Sequence, residues 1–279
     1  MVGRLAWARG LRARRGLGPR APYRHSISVS LLACVLVTSS LVHGQARETL
    51  DVGEDCTLAL APRMVAIPAV PRGGRALGAL ESSQCEQLLR DASVPFESIG
   101  SVAGVGEPVR LRGPIGDGVA IRTQGAAPRA RGGPAPHDPR FEAVFDCRLV
   151  LALRVWARWV HEAGFEAIEH VSVLRPHARV AATGRVSGHA HALAIDVLAL
   201  VRPDGSRFTI LDGWTSRSRG ADPCAHYDES AEQARVRALV CRGVQEGLFQ
   251  IVITPHHDDR HANHVHLEIR PDVDWAIAR

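Results

Sequence analysis

Two stretches in the second half of this chain carry residues that can do chemistry. Ser187-Gly188-His189-Ala190-His191-Ala192-Leu193-Ala194-Ile195-Asp196 sets two histidines ahead of an aspartate embedded in apolar sequence. A carboxylate buried there without a partner would be costly, and metal coordination is one way to offset that cost. The second stretch, His264-Val265-His266-Leu267-Glu268-Ile269, alternates polar and apolar residues. A period of two puts His264, His266 and Glu268 on one face of a strand and Val265, Leu267 and Ile269 on the other. One strand offering His and Asp and a second offering His-x-His can bring His189, Asp196 and His266 onto a zinc ion with its fourth position open. Such a site polarises a carbonyl and activates water. His264 and His261 are then candidate bases or oxyanion stabilisers, and Arg175 can supply a cation for an anionic substrate.

Each part alone has a plainer reading. A single histidine in a strand is more often structural than a ligand, and Asp196 could cap a turn or pair with arginine. His191 reads as a neighbour of the motif, not a ligand. His256 and His257 read as members of a solvated loop. The combination of His-x6-Asp with a later His-x-His is far more specific than either half. The histidines cluster accordingly: five lie between His256 and His266, which places any chemistry in the C-terminal half.

Several elements must position these groups. Ser83 to Ala92 reads as a short helix with Cys85, Leu88 and Leu89 on one face. Pro108 to Arg112 and Gly118 to Arg122 read as strands, and Ala126 to Pro139 as an exposed loop. Ala143 to Glu162 is the clearest helix, with an apolar face that includes Trp156 and Trp159 and a stop at Gly164. Ile168 to Leu174 reads as a strand, and Arg179 to Val186 as a loop into the central stretch. Ala192 to Val201 is a strand, Pro203-Asp204-Gly205 a turn, and Arg207 to Leu211 the return strand. A polar loop from Arg217 to Asp228, a helix from Glu229 to Glu246 and a strand from Phe249 to Thr254 then lead to the final strand, His264 to Ile269.

The chain's 279 residues suffice for a sizeable core. All 34 basic residues are arginine. Residues 1–46 read as an export signal: a basic segment from Arg4 to Arg24, an apolar run from Ile27 to Val42, and small residues at Gly44-Gln45-Ala46. Leu31-Leu32-Ala33-Cys34 also resembles a lipoprotein box, although apolar residues continue past Cys34. Without its seven leader arginines the chain has 27 arginines against 29 acids. A net charge of −2 leaves no basic-patch argument for nucleic acid, and no membrane span is expected after cleavage. The apolar run is short for a span. Residues 47–82 read as an extension or linker, and 83–279 as the domain.

Five cysteines remain after cleavage, in a pattern without CxxC that suits an oxidising compartment. Cys224 and Cys241 flank a helical segment and are placed to pair; Cys56 with Cys85 is a second candidate pair.

Ser187 to Asp196 resembles the S-x-H-x-x-G-x-A-x-D signature of D-Ala-D-Ala carboxypeptidase and Hedgehog-type zinc peptidases, and His264-Val265-His266 resembles their closing H-x-H. More narrowly, Cys85 to Ile269 resembles the bacterial extensin-like C-terminal domain family, through Pro108-Val109, Cys147, Arg175, Ala194-Ile195-Asp196, Asp204-Gly205, Trp214, Cys241 and His261-Ala262-Asn263-His264-Val265-His266. The resemblance implies an α+β fold, with a small antiparallel sheet and flanking helices carrying zinc on His189, Asp196 and His266. It implies a peptidoglycan peptide as the substrate class, with Arg175 and Ser187 on the substrate side, while the leader and the cysteines point to an exported protein of the periplasm or envelope. Three positions depart from the pattern. Ala192 replaces the signature glycine, and Leu174 stands where the family usually has cysteine. Asn263 stands where some relatives carry a glutamate base, which leaves that role to His264 or His261. The competing readings are a non-catalytic, metal-containing module that binds the wall, and a structural envelope protein whose histidines are incidental.

Overall fold

The computed structural model describes residues 73–124, 143–215 and 218–279. The expected leader, Cys34, Cys56 and the loop from Ala126 to Pro139 lie outside the described residues. Among the described residues, five α-helices and ten strands follow in order: α1 (Gly74–Gly78), α2 (Ser82–Asp91), β1 (Phe96–Ser98), β2 (Pro108–Leu111), β3 (Ala120–Thr123), β4 (Phe145–Asp146), α3 (Cys147–Glu162), β5 (Ala167–Ser172), β6 (Ala194–Val201), β7 (Arg207–Thr209), α4 (Ile210–Gly213), α5 (Ala231–Gln245), β8 (Ile251–Ile253), β9 (Val265–Glu268) and β10 (Ile277–Ala278). The architecture is α+β.

The main sheet has seven strands, ordered β10-β8-β9-β6-β5-β3, with β7 also on β6. It corrects the expectation of a small antiparallel sheet. β3 runs parallel to β5 and β10 parallel to β8. A parallel neighbour needs a crossover, and α3 supplies it between β3 and β5. β1, β2 and β4 form a separate antiparallel sheet.

β6 is the centre of the main sheet, and every one of its residues is buried. Covered on both faces, a strand reads as a near-continuous apolar run, and Ala-Ile-Asp-Val-Leu-Ala-Leu-Val has one polar member. One edge of β6 pairs with β5; the other is shared by β9 along its first half and β7 along its second.

α3 buries Leu149, Val150, Leu153, Trp156 and Val160. It begins at Cys147, not Ala143, because Phe145 and Asp146 pair with β2. The Asp146 carboxylate then accepts from the Arg148 backbone N–H, capping the first turn. The Trp156 indole N–H donates to the Leu239 carbonyl at 3.2 Å, fixing α3 against α5. α5 opens with a capping box between Ser230 and Gln233. Thr209 caps α4, so the expected return strand to Leu211 ends two residues early. α1 buries Leu77 completely.

Two disulfides brace the fold. Cys224–Cys241 is present as expected, whereas Cys85 joins Cys147 and not Cys56. The Cys85 bond links α2 to the first residue of α3, a long-range contact that spacing does not reveal. Disulfides of this kind belong to an oxidising compartment. Among the described residues, no helix is long and apolar enough to cross a membrane.

Candidate metal centre

Asp196 sits in the half of β6 that pairs with β9, directly opposite His266. Directly opposed residues share a sheet face, so the pairing register alone brings these two side chains together. His189 arrives from a 3₁₀ turn, Gly188–His191, just before β6. The Ser187 hydroxyl accepts from the His189 N–H at 3.3 Å and caps that turn, and the Arg175 N–H donates to the His189 carbonyl at 2.9 Å. On the other side of Asp196, β5 carries register shifts between Glu169 and Ser172. Irregularities of this kind re-aim side chains near sites.

Three inward-facing atoms form a nearly equilateral triangle. His189 Nε2 is 3.0 Å from Asp196 Oδ1 and 3.1 Å from His266 Nδ1, and His266 Nδ1 is 3.0 Å from Asp196 Oδ1. In a tetrahedral site with bonds of 2.0–2.1 Å, neighbouring donor atoms lie about 3.3 Å apart, so a few tenths of an ångström separate the triangle from that geometry. The outward nitrogens are already engaged. His189 Nδ1 donates to the Val173 carbonyl at 2.7 Å, and His266 Nε2 donates to Glu268 Oε2 at 3.0 Å. These bonds fix each ring's orientation and tautomer, as outer partners of metal-ligating histidines do.

Gly188 makes room for this backing. A Cβ there would stand 2.5 Å from Glu268 Cδ and 2.9 Å from its Oε1. The carboxylate behind His266 fits only because residue 188 has no side chain.

The electrostatics point the same way. Burial opposes the Asp196 charge, yet His189, His264 and Arg175 hold its carboxyl well below the usual range. Burial keeps His189 neutral-leaning, and it pushes His264 down to about 4. Burial also works against charge on His266, but hydrogen bonds to Asp196 and Glu268 outweigh it and raise that ring to about 9. A proton on His266 thus lies between two buried carboxylates, Asp196 and Glu268.

Two buried oxygens are left over. Asp196 Oδ2 lies 3.4 Å from Arg175 Nη1 without a hydrogen bond, and Ser172 Oγ, opposite Asp196 in register, has none. Unsatisfied buried polar atoms call for an explanation, an ion among them. Among the described residues, His189, Asp196 and His266 form the group that could hold a metal ion. The donor set, two neutral imidazole nitrogens and a carboxylate, fits one.

The other predicted residues surround this group. His264 Nε2 is 3.5 Å from Asp196 Oδ1, and its Nδ1 lies 2.9 Å from Asn263 Oδ1. His261 packs against His264, with ring centroids 5.0 Å apart, and stands 6.3 Å from His266. Arg175 reaches over Asp196 with its side chain 31% exposed. Ser187 is buried, and its hydroxyl is engaged in the cap. His191 is exposed, its Nδ1 2.6 Å from the Gly104 carbonyl, outside the triangle.

His256 requires a correction. It is buried, not solvated: its Nδ1 accepts from the Trp214 indole at 3.2 Å, and its Nε2 donates to the Thr215 carbonyl at 2.6 Å. The apolar environment comes from Trp214, over forty residues away, and the Pro-His-His-Asp sequence carries no sign of it.

Sequence reasoning assigned no role to Glu268, Ser172 or Asp258. For Glu268 the signal was present, since it alternates with His266 on one strand face. Ser172 is brought in by strand pairing alone. Asp258 reaches His261 through a local turn, Oδ1 to Nδ1 at 2.7 Å.

Fold and site together define a disulfide-bonded α+β protein with a buried His-Asp-His group able to take a metal. The chain belongs to the extensin-like protein C-terminus family, whose sequence model matches residues 139–279 and so covers every residue of the triangle. No curated protein and no solved structure matches the chain.

Proposed function

We propose that this is an exported zinc-dependent peptidase that hydrolyses peptide stems of peptidoglycan, akin to the D-Ala-D-Ala carboxypeptidase and Hedgehog-type zinc peptidases its motifs resemble. The observation that carries the reading is the preset triangle: three donor atoms 3.0–3.1 Å apart, both outward ring N–H groups satisfied, and an arginine at its edge.

His189 Nε2, Asp196 and His266 Nδ1 would hold zinc. Bound there, zinc supplies a Lewis acid for the amide carbonyl and lowers the pKa of water to about 7. Everything else falls to the chain. Val173 and Glu268 keep the two rings in their ligand tautomers. Arg175 has one ion pair, to Asp196, and no side-chain hydrogen bond among the described residues. Its fork of donors is therefore available to a substrate carboxylate, such as the C-terminus of a peptide stem. A second histidine beside the triangle, His264 or His261, accepts and returns the proton that hydrolysis moves. Two disulfides and the expected leader support a location in the periplasm or envelope.

One observation favours a non-catalytic wall-binding module instead. Asn263, which cannot act as a base, holds the place of the glutamate that some relatives use. Its amide oxygen is engaged with His264.

Zinc stoichiometry of the purified protein, followed by incubation with defined muropeptides, tests the reading. About one zinc per chain and chelator-sensitive release of an amino acid or peptide are expected. Full zinc with no cleavage leaves the binding module, and a protein that takes up no zinc sinks both.

A further inference from the structure

We propose that Asp258 and His261 form a carboxylate–imidazole dyad that serves as the proton-transfer pair of this site, in place of His264. The proposal rests on the peptidase reading above.

The geometry separates the two histidines. His264 presents Nε2 to Asp196 Oδ1 at 3.5 Å, and its Nδ1 faces only the neutral Asn263 amide. Its side chain is 6% exposed. Such a ring lies against the ligand carboxylate, with little access for water or a departing amine. His261 differs on each count. Its Nδ1 lies 2.7 Å from Asp258 Oδ1, its side chain is 23% exposed, and Nε2 has no partner among the described residues.

Asp258 is itself held in place. Its Oδ1 also accepts the backbone N–H groups of Arg260 at 2.9 Å and His261 at 3.1 Å. An oxygen that receives those N–H groups is a fixed acceptor, so the His261 Nδ1 must donate. That leaves the Nε2 lone pair on the opposite side of the ring, and a carboxylate behind Nδ1 stabilises the imidazolium that forms when Nε2 takes a proton. The loop carrying the dyad is pinned at its start by His256, between Trp214 and Thr215. It runs into β9, so the dyad moves with the strand that carries His266.

The proton balance is simple. His261 Nε2 takes one proton from the attacking water as the O–C bond forms. It gives that proton to the leaving nitrogen as the C–N bond breaks. One water is consumed per amide, nothing is oxidised or reduced, and His261 ends as it began. His261 would be a catalytic residue and Asp258 a positioning residue.

The test uses the zinc-loaded full chain and three variants, D258N, D258E and H261Q. The readouts are zinc content, muropeptide turnover and the His261 ring nitrogens by 15N NMR. In the parent the ring should show the Nδ1–H tautomer. H261Q should retain zinc and lose turnover by about 10²–10⁴-fold, the range of a general acid–base contribution. D258N should retain zinc and the Nδ1–H tautomer, since its amide oxygen takes the same N–H groups, yet fall in turnover by more than tenfold because the charge behind the ring is gone. D258E, which restores the charge, should recover part of it. A purely structural aspartate would be replaced by the isosteric amide without loss of turnover. An Nε2–H tautomer in the parent, or unchanged turnover in D258N and H261Q while the parent cleaves, overturns the dyad and leaves the peptidase standing. A zinc-loaded parent that cleaves no muropeptide overturns the peptidase reading and the dyad's catalytic role with it.

Discussion

Replacing Gly188 by alanine should weaken metal binding through a residue that does not itself touch the metal. The added Cβ would lie 2.5 Å from Glu268 Cδ and 2.7 Å from its Cγ. Carbon atoms in contact sit about 3.5–4.0 Å apart, so the carboxylate must retreat by about 1 Å. Its hydrogen bond to His266 Nε2, now 3.0 Å, would then stretch to about 4 Å, beyond hydrogen-bond range. Loss of an outer partner of a ligating histidine lowers metal affinity by about 10–100-fold, or about 1.4–2.8 kcal/mol. A chelator competition assay with zinc reads this directly. The 3₁₀ turn could instead open and carry His189 away, and a double-mutant cycle separates the two outcomes. In an E268A background the clash is gone, and G188A should then cost little. A coupling of about 0.5–3 kcal/mol between the two sites is expected. Parent-like affinity in G188A, or additive losses in the double variant, would refute the mechanism.

Three further outcomes are expected. His266→Ala should lose zinc along with activity, whereas His264→Ala should keep zinc, because His264 lies outside the triangle; metal analysis of both decides it. His266 carries a proton below about 9 in the metal-free protein, and a ligand nitrogen must be neutral. Zinc affinity should therefore rise about tenfold per pH unit between pH 5 and 6.5, below the titration of zinc-bound water at about 7, and a flat profile in competition titrations would exclude this. The sign for stability is opposite: this raised value favours the metal-free fold fully below the ring's ordinary 6.5, and the contribution is lost as pH climbs through about 9. The Cys85–Cys147 bond spans 62 residues and Cys224–Cys241 spans 17, so in the chain-entropy view serine replacement of each pair should lower stability by about 4 and about 3 kcal/mol respectively. Denaturant unfolding that ranks the bonds in reverse would count against that view.

The ligands were legible for a physical reason. An aspartate flanked by apolar residues in a strand must be offset by something, and His-x-His puts two rings on one face. What could not be read was the register. Asp196 faces His266 because Val197 pairs with Val265 and Ala194 with Glu268, and a slip of one residue would turn either side chain away. The same holds for the helix starts. The α3 boundary follows from the pairing of Phe145 and Asp146 with β2. Cys147 finds Cys85, and His256 finds Trp214, only through tertiary contacts that no local pattern encodes. The parallel strands were missed because their partners are separated by α3 and by β9.

Ala192 gives the last case, where a departure from the signature has a backbone cause. It ends the 3₁₀ turn at φ 54°, ψ 28°, in the left-handed region, and it is fully buried. A glycine, as in the signature, adopts that conformation freely. An L-residue there carries roughly 1–2 kcal/mol of strain. Reverting Ala192 to glycine removes the strain, but the unfolded chain gains freedom worth about 0.4–1 kcal/mol. A buried methyl worth about 0.8 kcal/mol is lost as well. The terms nearly cancel, so Ala192→Gly should leave stability within about 1 kcal/mol of the parent and zinc content unchanged. Ala192→Val should behave differently. A β-branched residue is a true outlier at this φ, and its two extra methyls enter a filled core, which adds about 1–3 kcal/mol of overpacking. Urea unfolding of both variants at equal slope gives the comparison. A large loss in Ala192→Gly would show that the methyl, not the backbone, is what this position needs, and a neutral Ala192→Val would remove the left-handed turn from the account of how His189 is delivered to Asp196.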